Sequence, residues 1–181
     1  MNTIIKYNAL IIIVCTILAS CSSGTLGKKV REPFQGNAFE SNARFYRGVG
    51  KGISSKDNIA KSKADLEAKR ELASQVNTNM KTVTDQYLGQ TENERAADVA
   101  EKFQSLTREV MNTEISDLRK IGEEKFFGDG KYTVFMAYEI KKNAMLRNLK
   151  KRAQVDEKIN EATRKSIEEI IDEELEKLEE D

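Results

Sequence analysis

The chain of 181 residues carries 30 basic and 30 acidic side chains, one proline, no histidine and no tryptophan. Balanced charge excludes a global field that would draw it to nucleic acid or anionic lipid, and the missing histidine removes the commonest neutral-pH general base and the commonest zinc or copper ligand. With 33% charged residues and 39% apolar ones, the composition suits one helix-rich domain with a small core and appendages.

Residues 1–20 stand apart. Lys6 is the one charge in Met1 to Asn8, and Ala9 to Leu18 is nearly unbroken aliphatic, a length that suits a signal-peptide core and is short for a membrane span. Leu18-Ala19-Ser20-Cys21 follows at once. This resembles the lipobox of bacterial lipoproteins, which implies cleavage between Ser20 and Cys21, a diacylglycerol thioether on Cys21 and an acylated new N-terminus. An ordinary secretory signal with a coincidental cysteine, or an N-terminal membrane anchor, are the alternatives. On the lipoprotein reading Cys15 leaves with the signal and Cys21 is consumed, so no thiol remains for a disulfide, a metal or nucleophilic catalysis. Ser22 at the second mature position, where aspartate retains lipoproteins at the inner membrane, points to the outer membrane. The absence of acids from Ser22 to Val30 favours its periplasmic face over the cell surface.

Residues 21–42 read as the lipidated cysteine and a flexible tether, with Gly24, Gly27, Gly36, Pro33 and the basic cluster Lys28, Lys29 and Arg31. Ala43 to Ile53 is an expected strand, with Phe45, Val49 and Ile53 on one face and Tyr46, Gly48, Gly50 and Gly52 on the other. The glycines miss the spacing of a dinucleotide fingerprint, because position 53 is Ile53, and of a phosphate loop, because Gly52 follows Lys51. Ser54-Ser55-Lys56-Asp57 resembles a capping box opening a helix to about Leu88, stopped by Gly89. The stripe Ala60, Ala64, Ala68, Leu72, Val76, Met80, Val83 and Tyr87, widened by Ile59, Leu66 and Ala73, faces inward. Its alanines provide a low ridge against which the bare glycine face fits.

Thr91-Glu92-Asn93-Glu94 reads as a second capping box before a helix to about Val110 carrying Ala96, Val99, Phe103 and Leu106. Glu114 to Phe127 is ambiguous between helix and strand. Asp129-Gly130 between apolar runs signals a type I′ hairpin into a strand from Tyr132 to Ile140 that is apolar on both faces and therefore central. Lys141 to Asp181 reads as one long helix with a seam at Met145, Leu149, Ala153, Ile159, Ala162, Ile167, Ile170, Ile171, Leu175 and Leu178. Lys141 to Arg152 holds six bases and no acid, whereas Glu161 to Asp181 holds ten acids and three bases. That polarity opposes the helix dipole and suits either a solvated extension or a coiled-coil homo-oligomer pairing unlike halves.

Arg47-Gly48-Val49-Gly50, the spaced alanines with Lys69-Arg70-Glu71-Leu72-Ala73, and Tyr132-Thr133-Val134-Phe135-Met136-Ala137 together resemble the Lpp-twenty-type bacterial lipoproteins and the N-terminal domain of flagellar assembly protein T. The resemblance covers residues 43–142 and leaves 143–181, the charged C-terminal helix, outside it. It implies an α+β fold, a small three-stranded antiparallel sheet in dodecin-like β-α-β-β order on the alanine-rich helix, with an inserted helix. It also implies an envelope structural or assembly role without catalysis, and it supplies no catalytic, metal or cofactor residues. The expected partners are the membrane through the anchor and an envelope protein, or a second copy through the C-terminal helix. An envelope enzyme or small-ligand carrier using the acidic pairs Glu123-Glu124 or Glu168-Glu169, and a peptidoglycan-binding lipoprotein, are the alternatives.

Overall fold

A computed structural model describes residues 27–91, 95–112 and 117–180. Leu18, Ala19, Ser20 and Cys21 lie outside the described residues, as does the capping motif at Glu92 to Glu94. The chain divides into a unit ending at Arg31 and a compact unit from Glu32 onward. In the second unit the order is β1 (Phe45–Ser54), α1 (Asp57–Gln90), α2 (Ala96–Asn112), β2 (Arg119–Gly128), β3 (Lys131–Lys141), α3 (Lys142–Val155) and α4 (Glu161–Glu180). It is an α+β fold whose single antiparallel sheet runs β1-β3-β2, with β3 central.

The hairpin forms as its sequence dictates. Asp129 and Gly130 both adopt positive φ, 50° and 69°, the pair of left-handed positions a type I′ turn requires. The ambiguous stretch before it is strand from Arg119, with a register shift between Lys120 and Gly122. Both outer strands run antiparallel to β3, so Gly48, Gly50 and Gly52 stand opposite Tyr138, Met136 and Val134.

On that face α1 lies directly against β1. A Cβ at Gly48 would come within 2.7 Å of Leu72 N, at Gly50 within 3.0 Å of Ala68 Cα, and at Gly52 within 2.6 Å of Ala64 N, with the carbonyls of Ala68, Ala64 and Ala60 closer still. Ala60, Ala64 and Ala68 are fully buried with Val134 and Met136. Beyond this joint the stripe grows, and Leu72, Val76, Met80 and Val83 enter a larger core with Phe103, Leu106, Met145, Leu149, Ile167 and Ile171. Ile59 and Leu66 do not widen the stripe; they are 40% and 56% exposed, because the close approach leaves room for only a narrow face. Thr84 lies in the stripe instead, its hydroxyl donating to the Met80 carbonyl.

Three local expectations are corrected. The capping box does not close: Lys56 is the N-cap without a side-chain bond, and Ser54 Oγ accepts from Lys56 N at 3.2 Å, a local turn that competes with capping. Gly89 does not stop α1, which ends at Gln90. The tether is shorter than its composition suggests, because packing begins at Glu32. Glu32 pairs with Lys51, the Phe34 ring lies over Gly122 and meets the Phe39 ring at 5.0 Å with the planes tilted by 55°, and Ser41 Oγ accepts from Arg47 N at 2.8 Å. Residues 32–42 thus form a strap over the sheet face that α1 leaves open.

The largest correction concerns the C-terminal segment, which is two helices rather than one. After Val155 the Lys158 N–H donates to Asp156 Oδ1 at 2.9 Å, and Asn160 Oδ1 accepts from Thr163 N at 2.9 Å, capping α4. Arg164 donates to the carbonyls of Ala153 at 3.1 Å, Asp156 at 3.3 Å and Ile159 at 3.1 Å, satisfying groups that the break sets free. The two helices fold back on each other, and Lys150 Nζ reaches Asp172 Oδ1 at 2.6 Å. Charge polarity that opposes the dipole of one helix is thereby matched between two neighbours. The seam faces inward: Ile159, Ile167, Ile170 and Ile171 are buried, whereas Ala162 is exposed and Thr163 takes the inner position, donating to Asp98 Oδ2 at 3.1 Å.

Candidate functional site: a cationic cleft at one end of the sheet

At the end of the sheet away from the hairpin, β3 places Glu139 opposite Arg47 on β1 and opposite Arg119 on β2. All three side chains belong to the sheet face that α1 does not cover. Arg47 Nε donates to Glu139 Oε2 at 3.0 Å, and Arg119 Nε donates to Oε1 at 3.0 Å, with its Nη2 on the same oxygen. Arg47 also donates to the Glu40 carbonyl at 2.9 Å, so the strap helps to position it. Glu139 is 3% exposed; such a charge is tolerable inside because both carboxylate oxygens are bonded. Burial alone raises the Glu139 carboxyl pKa, but the hydrogen bonds and charges of Arg119 and Arg47 outweigh it, and the net displacement is downward.

That sign sets a pH dependence. A carboxylate with a depressed folded-state pKa stabilises the fold above its unfolded value, about 4.3 for glutamate, and loses the contribution as pH falls through the folded value. Glu139→Gln is expected to destabilise near neutral pH by on the order of 2 kcal/mol. This lies below the range for a fully buried pair because the Arg119 side chain is 71% exposed. The gap between variant and wild type is expected to close well below the carboxylate range, as read by urea melts at two pH values.

Lys141 ends β3 and α3 starts at the next residue. Asn143, Arg147 and Lys151 recur every fourth residue and so share one side of the helix. With Phe45, Asp117, Arg119 and Glu139 they line a cleft of about 460 Å³ that also takes in Lys141 and Asn148. Arg119, Lys141, Arg147 and Lys151 outnumber Asp117 and Glu139, and Glu139 is further neutralised by Arg47. The helix start adds its positive end. A second hollow of about 340 Å³ shares Phe45, Lys141 and Asn143 and is closed by Arg44, Leu178 and Glu179. The cleft is suited to holding an anionic group through several cations.

The acidic pairs do not form dyads. Neighbouring strand residues point to opposite faces, so Glu123 turns toward Lys61, at 3.0 Å, and Lys120, while Glu124 is exposed. Glu168 and Glu169 diverge around α4, and Glu169 is exposed. The displaced carboxylates move downward: Glu123 through hydrogen bonds from Lys120 and Lys61, and Asp65 because bonds from Tyr138 and Lys69 outweigh its burial. Burial and the Asp65 hydrogen bond push the Tyr138 hydroxyl up to about 12. Among the described residues, no three histidine, cysteine, aspartate or glutamate side chains stand together as metal ligands.

The arginine ladder has one sequence signal, a glutamate at position 139 in an otherwise apolar run from Val134 to Ile140. Its partners could be found only with the strand register. Compared with protein-family models, curated proteins and solved structures, the chain gives no match.

Proposed function

We propose that this chain is an outer-membrane lipoprotein anchored through Cys21, facing the periplasm, that acts without catalysis by binding an anionic segment of another envelope component in the cationic cleft. The observation that carries the reading is Leu18-Ala19-Ser20-Cys21 directly after an aliphatic run of signal-peptide length. The sheet holding an alanine-rich helix accords with the resemblance to the Lpp-twenty-type lipoproteins and supports an envelope role. The attachment proposed is lipid on Cys21; among the described residues no helix is long and apolar enough to cross a membrane. The cleft supports the binding role through its excess of cations.

Acyl labelling and fractionation of wild type and Cys21→Ala test the anchor, and crosslinking in place tests the partner. Label and outer-membrane flotation are expected in the wild type and lost in Cys21→Ala. A crosslinked partner is expected to disappear in an Arg147→Glu, Lys151→Glu variant that still floats. An unlabelled wild type overturns the anchor; an unchanged crosslink in the charge-reversed variant overturns the role of the cleft. Removal of the protein by protease from intact cells overturns the periplasmic placement.

A further inference from the structure

The end of the sheet opposite the cleft is apolar and exposed. Ile53 is 45% exposed, Phe126 47% and Phe127 65%. The register sets Ile53, Thr133 and Phe126 in one row across the three strands. Phe126 meets Phe135 edge-on at 6.0 Å, and Phe127 leans on Tyr132 at 4.7 Å. Each ring is therefore braced on one side and bare on the other. Lys125 and Lys131 flank the pair, both exposed, and Lys125 is tied to Asp57 at 2.6 Å. The two rings lie on opposite faces of the tip, with the exposed Asp129 in the turn and Glu124 beside Phe126. Exposed aromatics on both faces of a braced tip, with lysines next to them, match the chemistry of the lipid–water boundary, where rings meet the upper acyl chains and ammonium groups stay at the headgroups.

The path of the strap tells which surface this end meets. Glu40 and Ser41 bond to Arg47, opposite Glu139. Phe34 covers Gly122, opposite Ala137, and Glu32 holds Lys51, opposite Phe135. Followed backward, the strap therefore climbs from the cleft end toward the hairpin and leaves the compact unit near the exposed row. The stretch from Cys21 to Glu32 spans no more than about 40 Å fully extended, and about 20 Å as a flexible coil. A lipid on Cys21 would keep this end within reach of the bilayer, at a local concentration that makes a weak contact effective.

We propose that the Phe126–Phe127 hairpin tip, with Ile53 beside it, rests in the interface of the membrane to which Cys21 is attached, and so turns the cationic cleft away from the bilayer. This rests on anchoring through Cys21. The chain contains no tryptophan, so Phe127→Trp supplies a single reporter, Phe126→Trp a second should the first misfold, and Val155→Trp, at a site 67% exposed beyond the cleft end, the control. Each lipidated full-length variant is reconstituted into phosphatidylcholine vesicles with or without bromine on the upper acyl carbons. The reporter at the tip is expected to emit at shorter wavelength and to be quenched severalfold more than the control. A chain that carries the acyl mass and floats with the vesicles, yet shows tip quenching no greater than the control, overturns the tip contact and leaves the anchor standing. A chain without the acyl mass overturns the anchor and this proposal with it.

Discussion

Gly50→Ala is expected to destabilise the protein by about 3 kcal/mol or more, at or beyond the upper end of the usual range for overpacking. The added methyl would fall on the backbone of Ala64 and Ala68, and backbone in the middle of a buried helix cannot rotate away as a side chain can. Relief requires α1 to lift from β1, which opens the interface of Ala60, Ala64, Ala68, Val134 and Met136. Ala64→Leu attacks the same joint from the helix side and is expected to cost about 1 to 3 kcal/mol. Gly122→Ala is the internal comparison. Its methyl would meet the far end of the Phe34 ring, 2.5 Å away at Cε1, and a half-exposed ring on the strap can swing. Its cost is expected to be clearly the smaller. Urea midpoints at a constant m-value measure all three, and a nearly neutral Gly50→Ala would mean that helix and strand do not meet as described.

Ile167→Ala is expected to cost about 2 to 5 kcal/mol, the range for truncating a fully enclosed aliphatic side chain. Ile167 has no exposed surface and joins Phe103, Leu149 and Met145 in the larger core. The effect separates two arrangements of the same sequence. A continuous helix leaving the domain at Lys141 would carry Ile167 into solvent, where the substitution would be worth a few tenths of a kcal/mol. A helical pair folded back on α1 and α2 makes it a core position. Urea unfolding of the full chain reads the difference, and a near-zero change would favour the extended helix.

The charge pattern that first suggested association between chains has a local explanation in the same arrangement. Bases on α3 lie beside acids on α4, with Lys150 on Asp172. The break between them contains neither glycine nor proline, the two residues that punctuate helices most visibly. Its signals are weaker: Asp156 and Asn160, both of which favour local bonds over helix continuation. Arg164 adds three carbonyl contacts that only the folded-back geometry can provide.

What the amino-acid order determined unaided was a set of features that depend on near neighbours, though not the start and end of α1 or the break after Val155. Asp129-Gly130 specified the turn, because left-handed φ at two successive positions is tolerated by few residue pairs. Alternating glycines and alanines four apart specified a bare strand face and a low helix ridge, because the periods of strand and helix are constants of the backbone. The two-sided apolarity of β3 specified its central place. Only the tertiary structure decided what joins distant segments. Glu139 meets Arg47 and Arg119 through a register that includes the irregularity after Lys120. The strap from Glu32 to Asn42 packs through two phenylalanines whose partners are a glycine and each other. The C-terminal helices bend back because Ile159, Ile167, Ile170 and Ile171 find a core in the far half of α1. In each case the free energy comes from surface or charge that another element must supply, and a linear pattern does not say which element that will be.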